Sequence, residues 1–142
     1  MQVIYTIFEQ EPADELLPAA LEHNLGILVR VVFDEDILTS KYTVNSEFPA
    51  GDFRKNDFAG DRVARAVKRV EQIETDIAES GLTQPQAALR FALAHTAVRT
   101  IIAGIRSVQQ TEANGAASDL PPLRRNCYRN CTSVLGCAAS GI

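Results

Sequence analysis

The chain has 142 residues, 46% of them hydrophobic and 23% charged, with a net charge of −4. That suits one soluble globular domain with a real core, and the acidic balance argues against a nucleic-acid or anionic-membrane partner. The apolar run Val3 to Phe8 lacks a basic leader and runs into Glu9 and Glu11, and no stretch reaches the length of a membrane span, so a cytoplasmic location is expected.

Val3 to Phe8 has the β-branched and aromatic content of a buried strand. Pro12 opens a helix from about Ala13 to His23 that places Leu16, Leu17, Ala20 and Leu21 on one face, and Asn24 with Gly26 ends it. Ile27 to Phe33 is a second strand, apolar enough to be covered on both faces as in parallel sheets. The polar stretch from Lys41 to Gly60 is long for a loop, and loops of that length are usually functional or mobile.

Asp61 then caps an amphipathic helix in which Val63, Val67, Val70, Ile73 and Ile77 recur at helical spacing, stopped by Ser80-Gly81. Thr83 with Gln86 forms a capping box for a helix to about Ala94 that is apolar nearly all round. Val98 to Ala103 is a third strand, broken by Gly104. Ser107 with Gln110 starts a helix to about Ala117, and Pro121-Pro122 ends the regular pattern. Strands alternating with helices imply a parallel sheet with helices outside it and right-handed crossovers.

The turn from Ala103 through Gly104, Ile105 and Arg106 to Ser107 is the best candidate site. A strand ends, a glycine lets the backbone turn, and a capped helix presents unpaired N–H groups and the positive end of its dipole. Arg106 adds a fork of donors suited to phosphate. From spacing alone, an ordinary strand-to-helix loop carrying a surface arginine is the better reading.

Four segments resemble the aldo-keto reductase family. Ile102 to Asn114 (IAGIRSVQQTEAN) is similar to IPGxRxxxQxxxN, Leu28 to Tyr42 (LVRVVFDEDILTSKY) to VRVPFDEGxLTGKY, Gln2 to Gln10 (QVIYTIFEQ) to QxxYNxF, and Gln84 to Ala97 to PAQxALRFxLxHPAV. They stand in family order and spacing over residues 1 to about 123. The resemblance implies an α/β fold, the C-terminal three βα units of a (β/α)8 barrel. It also implies reduction of a small carbonyl substrate by hydride transfer from NADPH.

By the same resemblance Gln2 matches the glutamine that binds the nicotinamide carboxamide, and Arg30 the residue beside nicotinamide. Phe33 to Leu38 match the loop over the pyrophosphate. Gly104, Arg106, Gln110 and Asn114 match the contacts to the adenosine and its 2′-phosphate, with Arg106 favouring NADPH over NADH. Val32 and Ala103 stand where prolines are usual, Thr6 where an asparagine is, and Asp36 and Ser40 where glycines are. Asp36 should weaken pyrophosphate binding through its negative charge.

The family's catalytic Asp, Tyr, Lys and His lie on its first four strands, whereas this chain begins at the sixth, so no catalytic residue is assigned. Tyr5 and Lys41 fall at non-catalytic positions, and His23 and His95 read as structural. Asp34, Glu35 and Asp36 read as a solvated loop, with a cation site the remote alternative. The resemblance thus implies a fragment inactive alone. The alternatives are a complementing module that docks on a missing N-terminal half, or a nucleotide-binding module. An open fragment exposes sheet edges, so marginal stability, self-association or dependence on a partner is expected.

Residues 124 to 142 depart from the family and are expected to be disordered. Written with codons CGG AGG AAC TGC TAC CGG AAC TGC ACC AGC, residues 124–133 (RRNCYRNCTS) read PEELLPELHQ once a single C is restored before them. That alternative has the proline and glutamates of a helix start, and it makes a lost nucleotide near Leu123 an explanation of the tail. Codons incompatible with that spelling in the coding DNA would sink it. On this reading, which treats the chain as the product of a gene remnant, Cys127, Cys131 and Cys137 are accidental; a zinc site would want four ligands at other spacings, so no metal is assigned.

Overall fold

Three of the apolar runs become strands, each shorter than its run. The computed structural model describes residues 1–133. Strand β1 covers Gln2–Ile4, β2 Ile27–Arg30 and β3 Val98–Ile102. They pair in parallel in the order β1-β2-β3. The register puts Val3, Val29 and Ile101 in one row, and Gln2, Leu28 and Thr100 in the next. Side chains alternate along a strand, so one face carries Val29, which is fully buried, and the other carries Leu28, which is exposed. Helices cover the first face. The second, with Gln2, Ile4, Leu28, Arg30, Thr100 and Ile102, lies open.

Local chemistry explains the shortened strands. The buried Thr6 hydroxyl accepts hydrogen bonds from the Phe8 and Glu9 N–H groups at 3.0 and 2.9 Å, turning the chain after Tyr5. Val31 adopts φ 56°, which stops β2. Tyr5 to Phe8 remain buried all the same, as do Val32 and Phe33. The first two apolar runs carry core residues beyond the ladder, but Ile27 to Arg30 is covered on one face only and not on both as expected, and in β3 only Val98 is buried.

Helix α1 spans Leu16–Glu22, later than its expected start because Pro12 sits in a separate 3-10 turn over Glu11–Ala13. Within the long loop a short helix, α2, covers Arg54–Asp57. Helix α3, Arg62–Glu79, buries Val63, Val70, Ile73 and Ile77. Asp61 makes no side-chain capping bond and instead pairs with Arg65 at 3.3 Å in solvent, a contact of little energetic weight. Gly81, at φ 72°, supplies the left-handed residue that ends α3.

Helix α4, Gln84–Leu93, begins with the full capping box: the Thr83 N–H donates to Gln86 Oε1 at 2.9 Å and the Gln86 N–H to Thr83 Oγ1 at 3.4 Å. It buries Ala87, Ala88, Leu89, Phe91 and Ala92. Helix α5 spans Val108–Ala116 after the Ser107 cap.

The tail corrects one expectation. Residues Arg125–Ser133 form a helix, α6, that buries Cys127 and Cys131. Spaced by four, these two thiols and Tyr128 make one apolar stripe, and free cysteine packs as a small hydrophobe. Tyr128 stacks on Phe91 at 5.2 Å. Gln10 donates to the Cys131 carbonyl at 2.8 Å, and Asn130 to Asp76 at 2.7 Å. Donation from Cys131, helped by Ser80, holds the Cys127 thiol below the ordinary thiol range, while that same bond and burial hold Cys131 above it. The expected disorder of residues 134–142, and Cys137, lie outside the described residues.

Two of the substitutions noted in the sequence occupy positions whose backbone suits glycine. Asp36 lies at φ 71° and Ser40 at φ 59°. Left-handed backbone costs an L-residue about 1–2 kcal/mol, part of which glycine returns as lost chain entropy. Ser40→Gly is therefore expected to stabilise the chain by about 0.5–1 kcal/mol, read as a higher urea midpoint with an unchanged slope.

Candidate cofactor-side site at the strand ends

Because the three strands are parallel, the segments that follow β2 and β3 emerge at one edge of the sheet. The 31–40 loop, the 41–60 segment and the Gly104–Ser107 turn all belong to that edge. This is where α/β barrels place their ligands.

The residues singled out from the sequence divide into three groups. Gln2 and Arg30 are exposed on the open sheet face. Phe33 and Leu38 are buried in the core, so their side chains support the loop and cannot reach a ligand without rearrangement. Gly104 and Arg106 precede α5, Gln110 lies in its first turn, and Asn114 lies further along it, towards the C-terminal end. A side chain at Gly104 would meet nothing within 4 Å, leaving the backbone open to approach. The Arg106 side chain is exposed, and the Arg106 backbone N–H donates to Gln110 Oε1 at 2.6 Å. Gln110 thus closes its ring with residue 106, one position before the Ser107 cap, while its own N–H donates to Ser107 Oγ at 3.2 Å. Among the described residues, the buried Asn114 Nδ2 has no partner. An open glycine and an exposed guanidinium before a helix start, with an orphaned amide donor further along that helix, suit an anionic or purine-bearing ligand.

The acidic trio is not a simple solvated loop. All three side chains are partly buried, and all three residues have positive φ, at 50°, 53° and 71°. Burial raises the Asp34 carboxyl to about 6, against the opposing pull of Arg69, with Glu35 and Glu9 raising it further. Burial also raises Glu35, beside Asp57 and Asp36. Among the described residues no group of three or more His, Cys, Asp or Glu could hold a metal ion.

The sequence reading missed Arg54. Its guanidinium grips Asp52 through Nε and Nη2, at 3.0 and 2.7 Å, and reaches Asp36 at 3.3 Å and the Tyr42 hydroxyl at 2.6 Å. It also lies 5.3 Å from the Phe48 ring centre. Phe48 stacks on Phe58 and meets Tyr42 edge-on. The long loop, expected to be functional or mobile, carries a small aromatic cluster around one arginine. Hydrogen bonds from Arg54, with Arg54 and Arg106 adding charge, hold Asp52 below the usual carboxylate range. The nearest sequence signal is Asp52 two residues before Arg54, but no period or motif links either to Asp36 or Tyr42. Between this cluster and α3 runs a groove of about 270 Å³ lined by Ile37, Tyr42, Val44, Glu71 and Glu74.

Tyr5 and His95 are structural. Tyr5 is buried, and burial, with Tyr128 beside it, raises its hydroxyl well beyond the usual tyrosine range. His95 sits edge-on to Tyr5 at 6.1 Å, accepts the Ala97 N–H at Nδ1, and is shifted down by burial.

A parallel sheet with helices on one face, an open opposite face and ligand-type groups at the strand ends defines part of a (β/α)8 barrel. The comparisons with known proteins agree. The aldo/keto reductase family profile matches residues 1–135, and the chain belongs to that family. It is 29% identical over 110 residues to a pyridoxal 4-dehydrogenase of Microbacterium luteolum, covering 78% of this chain and 30% of that protein. In structure it resembles a glycerol dehydrogenase of Gluconobacter oxydans, with TM-score 0.86 and 21% identity, over 99% of this chain and 43% of the other. It also resembles an aldo-keto reductase of Bacillus halodurans in its holo form, with TM-score 0.69 and 24% identity, over 94% and 41% of the two chains. The chain therefore spans less than half the length of these relatives. Among the described residues no helix is long and apolar enough to cross a membrane.

Proposed function

We propose that this chain is the cofactor-side portion of an NADP(H)-dependent aldo-keto reductase that reduces no carbonyl on its own. The observation that carries the reading is the turn into α5, where Arg106 is exposed and Gly104 is open, with the Asn114 amide further along the same helix unpartnered among the described residues. When bound, the nicotinamide cofactor would supply the hydride. Arg106 would hold the anionic end of the adenosine part, with Gln110 and Asn114 positioned beside it. Gln2 and Arg30 would face the nicotinamide end from the open sheet face.

Carbonyl reduction also needs a proton donor of tuned pKa beside the bound oxygen. Tyr5 does not serve, since it is buried and held protonated. Lys41 is exposed in the loop after a second 3-10 turn over Ile37–Thr39. Pure chain with NADPH and simple aldehydes is accordingly expected to show no steady-state oxidation of NADPH above buffer. Turnover by the pure chain would overturn this half of the proposal. Absence of NADPH binding, measured by quenching or calorimetry, would overturn the other half.

The open edges favour a second reading, a module completed by a chain carrying the remaining strands. Within this sheet β1 and β3 each have one unpaired edge, and Leu28, Ile102, Ile105 and Val108 are exposed. Co-expression with an N-terminal half of a related reductase should restore activity and protect the chain from aggregation. Two chains that fail to co-purify would count against it.

A further inference from the structure

Asp36 looks at first like a pure loss at a position whose backbone suits glycine. It carries a strained φ of 71° and brings a negative charge to the loop. Yet its carboxylate is only partly exposed and pairs with Arg54 Nη1 at 3.3 Å, across 18 residues of chain. The other edge of the same guanidinium is saturated by Asp52. Arg54 sits inside the aromatic cluster of Tyr42, Phe48 and Phe58, so whatever holds Arg54 holds the whole 41–60 segment.

We infer that Asp36 is a tether: its carboxylate, hooked by Arg54, holds the 41–60 segment against the 31–40 loop without any bound ligand. Glycine at this position could not do so. The tether also occupies a guanidinium edge that an anion arriving at the strand ends would otherwise take. Glu35 and Asp57 lie close enough to influence one another and add further negative charge around the hook. The segment is therefore closed by an internal anion, and a pyrophosphate-type ligand has to compete with Asp36 for Arg54. The competition rests on the cofactor reading above; the tether does not.

Amide hydrogen exchange of the full chain, without ligand, tests the tether directly. The reporters are Lys55, Asn56 and Phe58, whose N–H groups bond to Asp52, Phe53 and Arg54 within the segment. Asp36→Asn removes the charge and keeps a side chain tolerant of left-handed backbone. Exchange at the reporters is expected to rise about fivefold in the variant, on the scale of a partly exposed ion pair, with α4 unchanged. Should the variant destabilise the whole chain, the wild type supplies the answer. Raising salt to roughly 1 M, which shortens the screening length to about 3 Å, should speed the reporters and leave α4 as it was. Reporter exchange unchanged by both the substitution and salt overturns the tether. Inorganic pyrophosphate at millimolar concentration is the probe for competition: it should speed reporter exchange in the wild type and not in Asp36→Asn. No response to pyrophosphate with the tether intact overturns the competition alone. NADPH binding plays no part in these readouts, so their failure is distinguishable from failure of the proposed function.

Discussion

Phe91→Ala is expected to unfold the chain or bring it to the edge of unfolding. Phe91 is completely buried on α4, with its ring centre 5.5 Å from Tyr5 and 5.2 Å from Tyr128. It thus joins the segment after β1, the helix that leads into β3, and α6. Truncating a buried phenylalanine costs about 3–5 kcal/mol through lost transfer energy and the cavity left behind. Whole domains are typically stable by about 5–15 kcal/mol, and a sheet with two open edges is expected to sit near the low end. Refilling from neighbours is limited because Ala87, Ala88 and Ala92 on the same helix carry only methyl groups, which cannot reach into the cavity. The measurement is urea unfolding followed by far-UV circular dichroism, with Phe91→Leu as the volume-conserving comparison. A loss below about 1 kcal/mol for the alanine variant would mean that α4 is not the centre of the core.

The sequence showed the sheet, the helical layer and the family because these rest on local periodicity and local caps. Thr83 with Gln86 is a contact over three residues, and it formed as written. The Val63-to-Ile77 stripe repeats at helical spacing, and α3 buries most of it. What the sequence hid depends on partners far apart in the chain. Nothing local joins Asp36 to Arg54, or Gln10 to Cys131 across 121 residues. The strand ends were misplaced for a related reason: apolar content reports burial, whereas the ladder stops where Thr6 and Val31 turn the backbone.

Helix α6 shows both sides of this. Its composition suggested a scrambled tail, yet positions 127, 128 and 131 carry its apolar stripe. With the codon spelling chosen above, those three are the positions that would read as leucine if one nucleotide were restored before codon 124. A stripe at helical spacing would survive such a change, because a leucine codon CTG followed by C would yield the cysteine codon TGC in the shifted frame. Both are small enough and apolar enough to face α3. The agreement lies in which positions are buried, and that depends only on the spacing.

Asp34 carries the largest expected pH effect. It lies at φ 50°, partly buried beside Arg69, whose guanidinium stacks over the Phe8 ring at 4.7 Å and whose buried Nε has no partner among the described residues. Burial dominates, raising the carboxyl from the ordinary 3.8 to about 6. A folded-state value above the unfolded one means that the native chain holds this proton where the unfolded chain has released it. The contribution is fully present below about 3.8 and is lost as pH rises through about 6. That interval corresponds to at most about 3 kcal/mol at 1.36 kcal/mol per pH unit. Wild-type stability is therefore expected to rise on going from pH 7.5 to 5. Asp34→Asn keeps the shape and tolerates left-handed backbone. It should be more stable than wild type at pH 7.5 by about 1–3 kcal/mol, with most of the pH dependence gone. Glu35, raised in the same direction by burial and by Asp57 and Asp36, accounts for the remaining slope. Urea midpoints for both proteins at the two pH values decide the matter, since parallel slopes would show that Arg69 compensates the Asp34 charge in full.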